Sequence, residues 1–292
     1  MKHLDHSPID NSELTPYLSC ADHSISKESF DLFLDSNNDF LVTRPLPEGE
    51  SISKYYESDQ YISHTDNSSS LMDRVYQWVR SYTLKQKLQL INSFKTKEKS
   101  ILDVGAGTGD FLNACQKNGW KIDGVEPNKG AKTIAENKLG SSLYSDLANL
   151  KDMKYDVISL WHVLEHVPDL NNTMKKLQEL LDANGRVIIA VPNHKSHDAS
   201  YYKNFWAAYD VPRHCWHFSQ SSMHTLCRKF GLEVERILPM KFDAYYVSLL
   251  SEKYRTGRMN PLRAFLRGFI SNYKAKRTSE YSSLIYVVKN SK

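Results

Sequence analysis

The feature of this sequence that most restricts its fold is a regular alternation of short apolar segments with amphipathic ones, which begins at Ser100. The apolar segments have the length of buried strands, and the amphipathic segments have helical spacing. The predicted strands are 101–104, 121–126, 155–161 and 185–191, and the predicted helices are 110–118, 129–138, 171–181 and 219–230. Strands that alternate with helices form a parallel sheet covered by helices on both faces. We therefore predict an α/β fold with a doubly wound, Rossmann-like and mostly parallel sheet.

The pattern changes after Gly231. An extended segment at 232–238 is followed by a helical segment at 261–277 and a final strand at 282–288. Two late extended segments around a helical excursion, at about 250–280, are typical of an antiparallel strand added to a parallel sheet. We predict that the last strand is antiparallel.

The residues before this alternation are polar and show little periodicity up to about Asp66. Two apolar segments, 29–34 and 39–43, are separated by the turn-forming residues 36–38 and predict a small hairpin. Apolar residues then recur at helical spacing and predict a long helix from Ser69 to Phe94. We predict an N-terminal appendage over 1–66 and a main domain over 67–292.

The composition excludes several classes of protein. No segment approaches the roughly 18 apolar residues of a membrane span, and no apolar segment follows Met1, so we expect a cytoplasmic protein without a signal peptide. The net charge of +4 is too small and too dispersed to indicate a nucleic-acid partner. The four cysteines form no Cys-x-x-Cys pair, so we expect free thiols. The sequence indicates no particular oligomeric state.

A glycine-rich turn follows the first strand of the alternation, with glycines at 105, 107 and 109. Glycines allow a tight turn and a close approach by a ligand, and the helix that follows offers unpaired N–H groups. The next strand ends at Glu126, where a carboxylate would meet ribose hydroxyls in a doubly wound fold. These two features together predict a cofactor that contains a nucleoside.

The spacing of the glycines indicates which cofactor it is. A dinucleotide fingerprint would place its third glycine at position 110, which is Asp here. Carboxylates at Asp103 and Asp110 would repel a pyrophosphate and favour a cationic cofactor. The segment Leu102-Asp-Val-Gly-Ala-Gly-Thr-Gly109 resembles the first motif of the class I S-adenosylmethionine-dependent methyltransferases, and Glu126 resembles the acidic end of their second motif.

The resemblance continues along the chain. Tyr144-Ser-Asp-Leu147 looks like the third motif of this family, and residues 155–169 look like the fourth. Within the fourth, Leu164-Glu-His-Val-Pro-Asp169 is similar to the branch that contains the ubiquinone-biosynthesis O-methyltransferases. The layout of Cys20, Ser29-Phe-Asp-Leu32, Pro45-Leu-Pro47 and Tyr55-Tyr56 also resembles bacterial methyltransferases of unassigned substrate with an N-terminal zinc-ribbon-like unit. The paired cysteines of that unit are missing here, so we predict no zinc.

The resemblance implies a role for each motif. Glu126 would hold both ribose hydroxyls, Gly105 and Gly107 would face the methionine moiety, and Asp146 would either meet the adenine amine or cap the helix that follows. S-adenosylhomocysteine would be the product. The residues predicted to bind the cofactor are Asp103, Gly105, Ala106, Gly107, Gly109, Phe111, Glu126, Pro127, Asp146, Leu147, Trp161 and His162.

The chemistry is predicted from residues near the ends of the later strands. On a helix that begins at His162, Glu165 and His166 would share a face with it and could bind a divalent metal. Some methyltransferases of this appearance use a Glu-x-x-Glu-His metal motif, and here His162 replaces its first Glu. We therefore favour hydrogen bonds that brace loops, and we predict no metal.

The segment 210–219 is predicted to form a wall of the acceptor pocket, because loops carried by a rigid sheet tend to hold binding residues. Arg213 could grip a carboxylate or phosphate, and His214 or His217 could accept a proton. Tyr61 and His64 are predicted to cover the cofactor as a lid, and with Arg213 they are the predicted substrate-binding residues. The predicted catalytic residues are His162, His214 and His217.

These patterns predict an enzyme that methylates oxygen or carbon of a small molecule or of a glycan or lipid intermediate. Two alternatives remain open: a nicotinamide-dependent oxidoreductase and a pseudoenzyme that binds the cofactor without transferring the methyl group. The segment 262–277 combines an apolar helical stripe with basic residues. It predicts either peripheral contact with a membrane or packing against its own domain.

Overall fold

The computed structural model describes residues 2–47, 54–55 and 71–291. Tyr61, His64 and the predicted domain boundary at residue 66 lie outside this part of the chain. Two compact units are present. The first comprises Met1–Ser58, His162–Met174 and Ile189–Ser291, and the second comprises Asp59–Trp161 and Lys175–Ile188.

The strands of the described residues are numbered in chain order. They are β1 (Thr15–Ala21), β2 (Ser29–Asp35), β3 (Phe40–Arg44), β4 (Ser100–Val104), β5 (Lys121–Val125), β6 (Tyr155–Trp161), β7 (Leu181–Pro192), β8 (Trp216–His217), β9 (Leu232–Pro239) and β10 (Ser283–Asn290). The α-helices are α1 (Leu71–Asn92), α2 (Asp110–Lys117), α3 (Lys129–Leu139), α4 (Leu170–Leu180), α5 (His197–Tyr202), α6 (Gln220–Lys229), α7 (Asp243–Thr256) and α8 (Pro261–Thr278).

The larger sheet has six strands in the order β5-β4-β6-β7-β10-β9. Strand β4 pairs in parallel with both β5 and β6, whereas β10 is antiparallel to β9. The predicted mostly parallel sheet with an antiparallel last strand is therefore confirmed. Strand β10 lies between β7 and β9, so the last strand of the chain is inside the sheet and β9 forms its edge.

Side chains on both faces of the larger sheet are buried, as β4 shows. Ile101 and Leu102 are adjacent in β4, and neither exposes any surface. Because neighbouring side chains of a strand point to opposite faces, both faces of β4 are covered. Val157 and Ile158 show the same pattern in β6. Continuous apolar residues of this kind are typical of parallel strands in α/β proteins.

The smaller sheet has four strands in the order β1-β2-β3-β8. The predicted hairpin is confirmed, since β2 and β3 pair antiparallel on either side of residues 36–39. Strand β3 also pairs with β8, through Leu41 with His217 and Val42 with Trp216. The N-terminal strands therefore share a sheet with residues that follow them by more than a hundred positions.

Two further expectations concern thiols and membranes. All four cysteines are free and buried, as predicted, and burial raises the pKa of Cys20 to about 12. Among the described residues, no helix combines the length and the apolar character that crossing a membrane requires. The predicted cytoplasmic location stays a prediction.

Candidate active site

The glycine-rich turn after β4 requires glycine for its backbone. Gly105, Gly107 and Gly109 have φ of +74°, +56° and +77°, in the left-handed region that glycine adopts without a steric cost. A Cβ on Gly109 would lie 3.0 Å from the Cβ of Ala135, so α2 begins in close contact with α3. A Cβ on Gly107 would meet no atom within 4 Å. The turn therefore leaves open space beside Gly107.

Glu126 holds this turn from the end of β5. Its side chain is buried, with 7% of the residue exposed. Its Oε2 accepts a hydrogen bond from the Gly107 N–H at 2.7 Å, and its Oε1 accepts one from the Asn128 N–H at 2.8 Å. Each carboxylate oxygen can accept a second hydrogen bond, so two ribose hydroxyls could still bind. The structure brings Glu126 and the turn together as predicted, and the direct bond to Gly107 is an addition that spacing could not reveal.

Asp103 is a buried acid near the end of β4, and 3% of the residue is exposed. Its Oδ1 accepts a hydrogen bond of 2.6 Å from the Ser159 hydroxyl. Burial raises the pKa of Asp103 to about 7, and the nearby Glu126 acts in the same direction, while Ser159 and Lys87 oppose the shift. A cation beside Asp103 would therefore favour its ionised form near neutral pH.

Asp110, the first residue of α2, is paired with basic side chains. Its carboxylate contacts Arg80 and, at 2.6 Å, the Nζ of Lys138. Burial alone would raise its pKa, but Lys138 and Arg80 lower it. The charge of Asp110 is thus offset by two cations, so it would repel a pyrophosphate less than the sequence analysis assumed.

Two aromatic rings and a lysine lie on the same unit as the turn. The rings of Phe111 and Trp161 meet edge to face with centroids 5.7 Å apart. The Nζ of Lys87 lies 4.3 Å from the centroid of the Trp161 ring. Phe111 and Trp161 were predicted cofactor residues, whereas Lys87, which α1 contributes, was not. Its position on a long helix gave no signal of function.

The remaining predicted cofactor residues lie close to this turn or just beyond β5. Ala106 is buried in the turn, and Pro127 is exposed directly after Glu126. The N–H of Glu126 donates to the Tyr144 carbonyl at 2.9 Å, which brings the predicted third motif beside the end of β5. Asp146 caps the short 3-10 helix Leu147–Asn149 by accepting from the Ala148 N–H. Its contact with adenine stays a prediction.

A second group of titratable residues lies in the other unit and begins with His162. The φ of His162 is +57°, and only a 3-10 turn, Leu164–His166, follows it. The predicted helix beginning at His162 is therefore wrong. The ring nitrogens of His162 lie 3.1 Å from carboxylate oxygens of Glu165 and Asp243. Burial alone would lower its pKa, but Asp243 and Glu165 raise it to about 10, which favours the protonated ring near neutral pH. The predicted catalytic role of His162 stays a prediction.

Glu165, His166 and His214 come together in this unit. One ligand atom from each lies within 4.8 Å of the others. The Nδ1 of His166 bonds to the Arg213 carbonyl and that of His214 to the Ala208 carbonyl. Since a carbonyl only accepts, both Nδ1 atoms carry a proton.

This group differs from the set predicted to share a helical face. Glu165 is fully buried, and its Oε2 has no hydrogen-bond partner. Burial, with His214 adding to it, lowers the pKa of His166 to about 4, so that ring is neutral. A carboxylate and two imidazoles suit a divalent transition metal. In this cluster His214 takes the position that the sequence analysis gave to His162. The absence of a metal stays a prediction.

Arg213 is surrounded by partners from its own unit. It is 7% exposed, and its guanidinium pairs with Asp210 at 2.6 Å and with Asp22 at 3.0 Å. It also donates to the Tyr55 carbonyl at 3.1 Å. These bonds tie the N-terminal residues to the segment 210–219. Asp22 was not singled out in the sequence, and the predicted contact of Arg213 with an acceptor stays a prediction.

His217 lies in β8 and is 4% exposed. The Thr43 hydroxyl donates to the His214 carbonyl at 2.6 Å, so His217 donates from Nε2 to the Thr43 oxygen at 2.9 Å. Burial and the neighbouring histidines hold the pKa of His217 well below its usual range. A general base works best with a pKa near the operating pH, so His217 is a weak candidate.

Comparison with known proteins decides the family. The sequence pattern of the family described as a methyltransferase domain matches residues 61–237, more than half of the chain. The chain belongs to this methyltransferase family. The predicted dependence on S-adenosylmethionine is confirmed with it, and the nicotinamide alternative loses its support.

Curated relatives of this methyltransferase are ubiquinone biosynthesis O-methyltransferases. The relative from Nitrosococcus oceani is 27% identical over 176 residues, which are 55% of this chain and 72% of the relative. The relative from Nitrosospira multiformis is 27% identical over 165 residues, which are 50% of this chain and 67% of the relative. About half of the methyltransferase chain therefore lies outside these alignments.

Solved structures confirm the fold of the methyltransferase. The magnesium protoporphyrin IX methyltransferase from Synechocystis PCC 6803, with bound S-adenosylhomocysteine, aligns with a TM-score of 0.54 at 13% identity over 83% of this chain and 100% of that chain. A putative sarcosine dimethylglycine methyltransferase from Galdieria sulphuraria aligns with a TM-score of 0.51 at 17% identity over 75% of this chain and 88% of that chain. At these identities the likeness concerns the fold alone.

Proposed function

We propose that this methyltransferase transfers the methyl group of S-adenosylmethionine to an oxygen of a small-molecule acceptor, and that the glycine-rich turn after β4 binds the cofactor. The observation that carries the cofactor part is the buried Glu126 carboxylate, bonded to the N–H of Gly107 in a turn with open space at Gly107. The choice of oxygen over carbon is supported by the O-methyltransferase relatives. A wider form of the same proposal includes a glycan or lipid intermediate as the methyl acceptor.

Each residue of the turn would have a distinct role. S-adenosylmethionine supplies a methyl group attached to a positively charged sulfur. Glu126 would accept hydrogen bonds from the ribose hydroxyls, which are charge-assisted and therefore strong. Asp103 would place negative charge near the cationic part of the cofactor, since its pKa of about 7 allows a nearby cation to ionise it. Gly107 would allow the cofactor to approach the backbone without a Cβ in the way.

Methyl transfer depends mainly on alignment of the reactants, and a base is needed only if the acceptor must lose a proton. Of the three predicted catalytic histidines, we assign this task to His214. His162 carries a proton near neutral pH and cannot accept another, and His217 has a pKa far below neutral. His214 donates its Nδ1 proton to the Ala208 carbonyl, so Nε2 is the ring atom that would accept a proton.

The cofactor part is tested with two matched glycine variants. Gly107 and Gly119 both have positive φ, and a Cβ on either would meet no atom within 4 Å. Gly107→Ala and Gly119→Ala should each lose about 1–2 kcal/mol of stability, because alanine is strained in the left-handed region. Only Gly107→Ala puts a methyl group where the cofactor would lie, so it should weaken S-adenosylhomocysteine binding by about tenfold or more, equivalent to ~1.4 kcal/mol.

Isothermal titration calorimetry with S-adenosylhomocysteine measures both affinities. Equal affinity in the two variants would reject the turn as the cofactor site. The acceptor part is tested separately by incubating the full chain with S-adenosylmethionine and a panel of small hydroxylated compounds. Mass spectrometry of each product then locates the methyl group. Methylation at carbon alone would reject the assignment to oxygen.

A further inference from the structure

Helix α8 turns its small residues towards the protein. Its buried residues are Ala264, Gly268, Ser271 and Ala275. A Cβ on Gly268 would lie 2.7 Å from the Tyr245 ring and 2.9 Å from the Tyr245 Cα, so the backbones of α7 and α8 are in close contact. The side of α8 that faces α7 has no room for large side chains.

The large apolar residues of α8 lie on the surface instead. They recur at intervals of three and four residues, so they form one stripe along the helix. The exposed fractions are 86% for Leu262, 63% for Phe265, 53% for Leu266, 52% for Phe269 and 57% for Tyr273. A surface helix of a globular protein normally buries such a stripe in the core. In α8 the usual arrangement is reversed.

Positive charge is concentrated in the same segment. Residues 253–279 contain eight Lys and Arg residues and no Asp or Glu. Because the whole chain has a net charge of +4, the residues outside this segment have a net charge of −4. Glu252 offsets part of the charge, with Arg255 at 3.5 Å and Arg263 at 3.9 Å. Lys276 and Arg277 are exposed in the last turn of α8.

We propose that α8 is a membrane-binding helix that lies flat on an anionic lipid bilayer, with the apolar stripe among the lipid chains and the basic residues at the headgroups. Helices that bind in this way combine an apolar face with Lys and Arg and do not cross the bilayer. In keeping with this, none of the described helices is long and apolar enough to span a membrane. The proposal does not depend on the identity of the methyl acceptor.

Charge complementarity favours lipid over a second copy of this chain. A two-fold contact through α8 would place the same basic segment against itself, and like charges in contact repel. An anionic bilayer satisfies the basic residues and the apolar stripe together. Each basic residue near such a surface should strengthen binding about fivefold, equivalent to ~1 kcal/mol.

The experiment is co-sedimentation of the full chain with lipid vesicles. We expect binding to vesicles of phosphatidylglycerol and phosphatidylcholine, much weaker binding to phosphatidylcholine alone, and loss of binding as salt screens the charges. Leu262→Asp/Phe269→Asp should weaken binding about 100-fold or more, because each apolar side chain withdrawn from lipid loses its transfer free energy. Lys276→Gln/Arg277→Gln should weaken it about 25-fold.

Matched controls change the same residue types elsewhere. Ile134 is 45% exposed on α3, and Lys117 and Lys129 are exposed at α2 and α3. Ile134→Asp and Lys117→Gln/Lys129→Gln should bind vesicles as the unchanged chain does, and circular dichroism should show every variant folded. Absence of binding to anionic vesicles at low salt would overturn the proposal. A dimer that Leu262→Asp/Phe269→Asp dissociates, without vesicle binding, would assign the stripe to a protein contact instead.

Discussion

Replacing Asp103 with Asn should stabilise the ligand-free protein at alkaline pH. Burial raises the pKa of Asp103 from 3.8 to about 7. A shift of about three units means that ionised Asp103 costs the folded state roughly 4 kcal/mol. Asn cannot ionise, and its carbonyl oxygen can still accept the hydrogen bond from Ser159. Asp103→Asn should therefore remove this cost without leaving the Ser159 hydroxyl unpaired.

The sign of the pH dependence follows from the raised pKa. Between about pH 4 and about pH 7 the folded protein binds more protons than the unfolded chain, so its stability falls as the pH rises through this window. Above about pH 7 the full cost is present. Asp103→Asn should then raise the free energy of unfolding by up to about 4 kcal/mol at about pH 8, and hardly change it at about pH 4.

Urea denaturation of the ligand-free protein at the two pH values measures this difference. Asp110→Asn is the matched control, because Lys138 and Arg80 lower the pKa of Asp110. A group with a lowered pKa stabilises the fold when ionised, and Asp110 is ionised in the folded protein at both pH values, so this control should lose stability at both. If Asp103→Asn loses stability at about pH 8, or gains as much at about pH 4, then Asp103 is not a destabilising buried acid.

Three further predictions follow from the same contacts. Glu126→Ala should weaken S-adenosylhomocysteine binding by several kcal/mol, because two charge-assisted hydrogen bonds of about 1.5–3 kcal/mol each would be lost, and undiminished affinity in calorimetry would contradict this. The ring of His162, with a pKa of about 10, should show no titration in NMR spectra between about pH 6 and about pH 8, whereas a midpoint in that range would refute the ion pairing. Arg213→Ala should destabilise the protein by roughly 3–5 kcal/mol in urea denaturation, because it removes the cation paired with Asp22 and Asp210, and a loss below about 1 kcal/mol would show that these carboxylates do not need it.

The order of helices and strands could be predicted because its signals are local. Strands β4 and β6 are short and apolar throughout, and α2 and α3 carry their apolar residues at helical spacing. The glycine-rich turn and Glu126 were recognisable for the same reason, since a motif and the strand that precedes it are adjacent in the chain.

Contacts between distant residues could not be predicted in this way. Strand β8 has two residues, too few for a periodic signal, and it forms only by pairing with β3. Asp22 and Arg213 are 191 positions apart, and nothing in either segment indicates the other. The positive φ of His162 interrupts the helix that the spacing of Glu165 and His166 suggested. His162 still contacts Glu165, but the third ligand atom near Glu165 and His166 comes from His214, in another segment.

The pairing of β3 with β8 limits how this chain can be shortened. Thr43 donates its backbone N–H to Cys215 and its hydroxyl to His214, and Asp22 neutralises Arg213. A protein trimmed to begin at residue 67 would keep the glycine-rich turn, Glu126 and the later methyltransferase motifs and lose all of these partners. The segment around His214 would then lack its neighbouring strand, and the buried Arg213 would keep Asp210 but lose Asp22. Expression of the methyltransferase region alone should therefore give an aggregating protein, and the N-terminal residues should be kept whenever this enzyme is produced or fused to another.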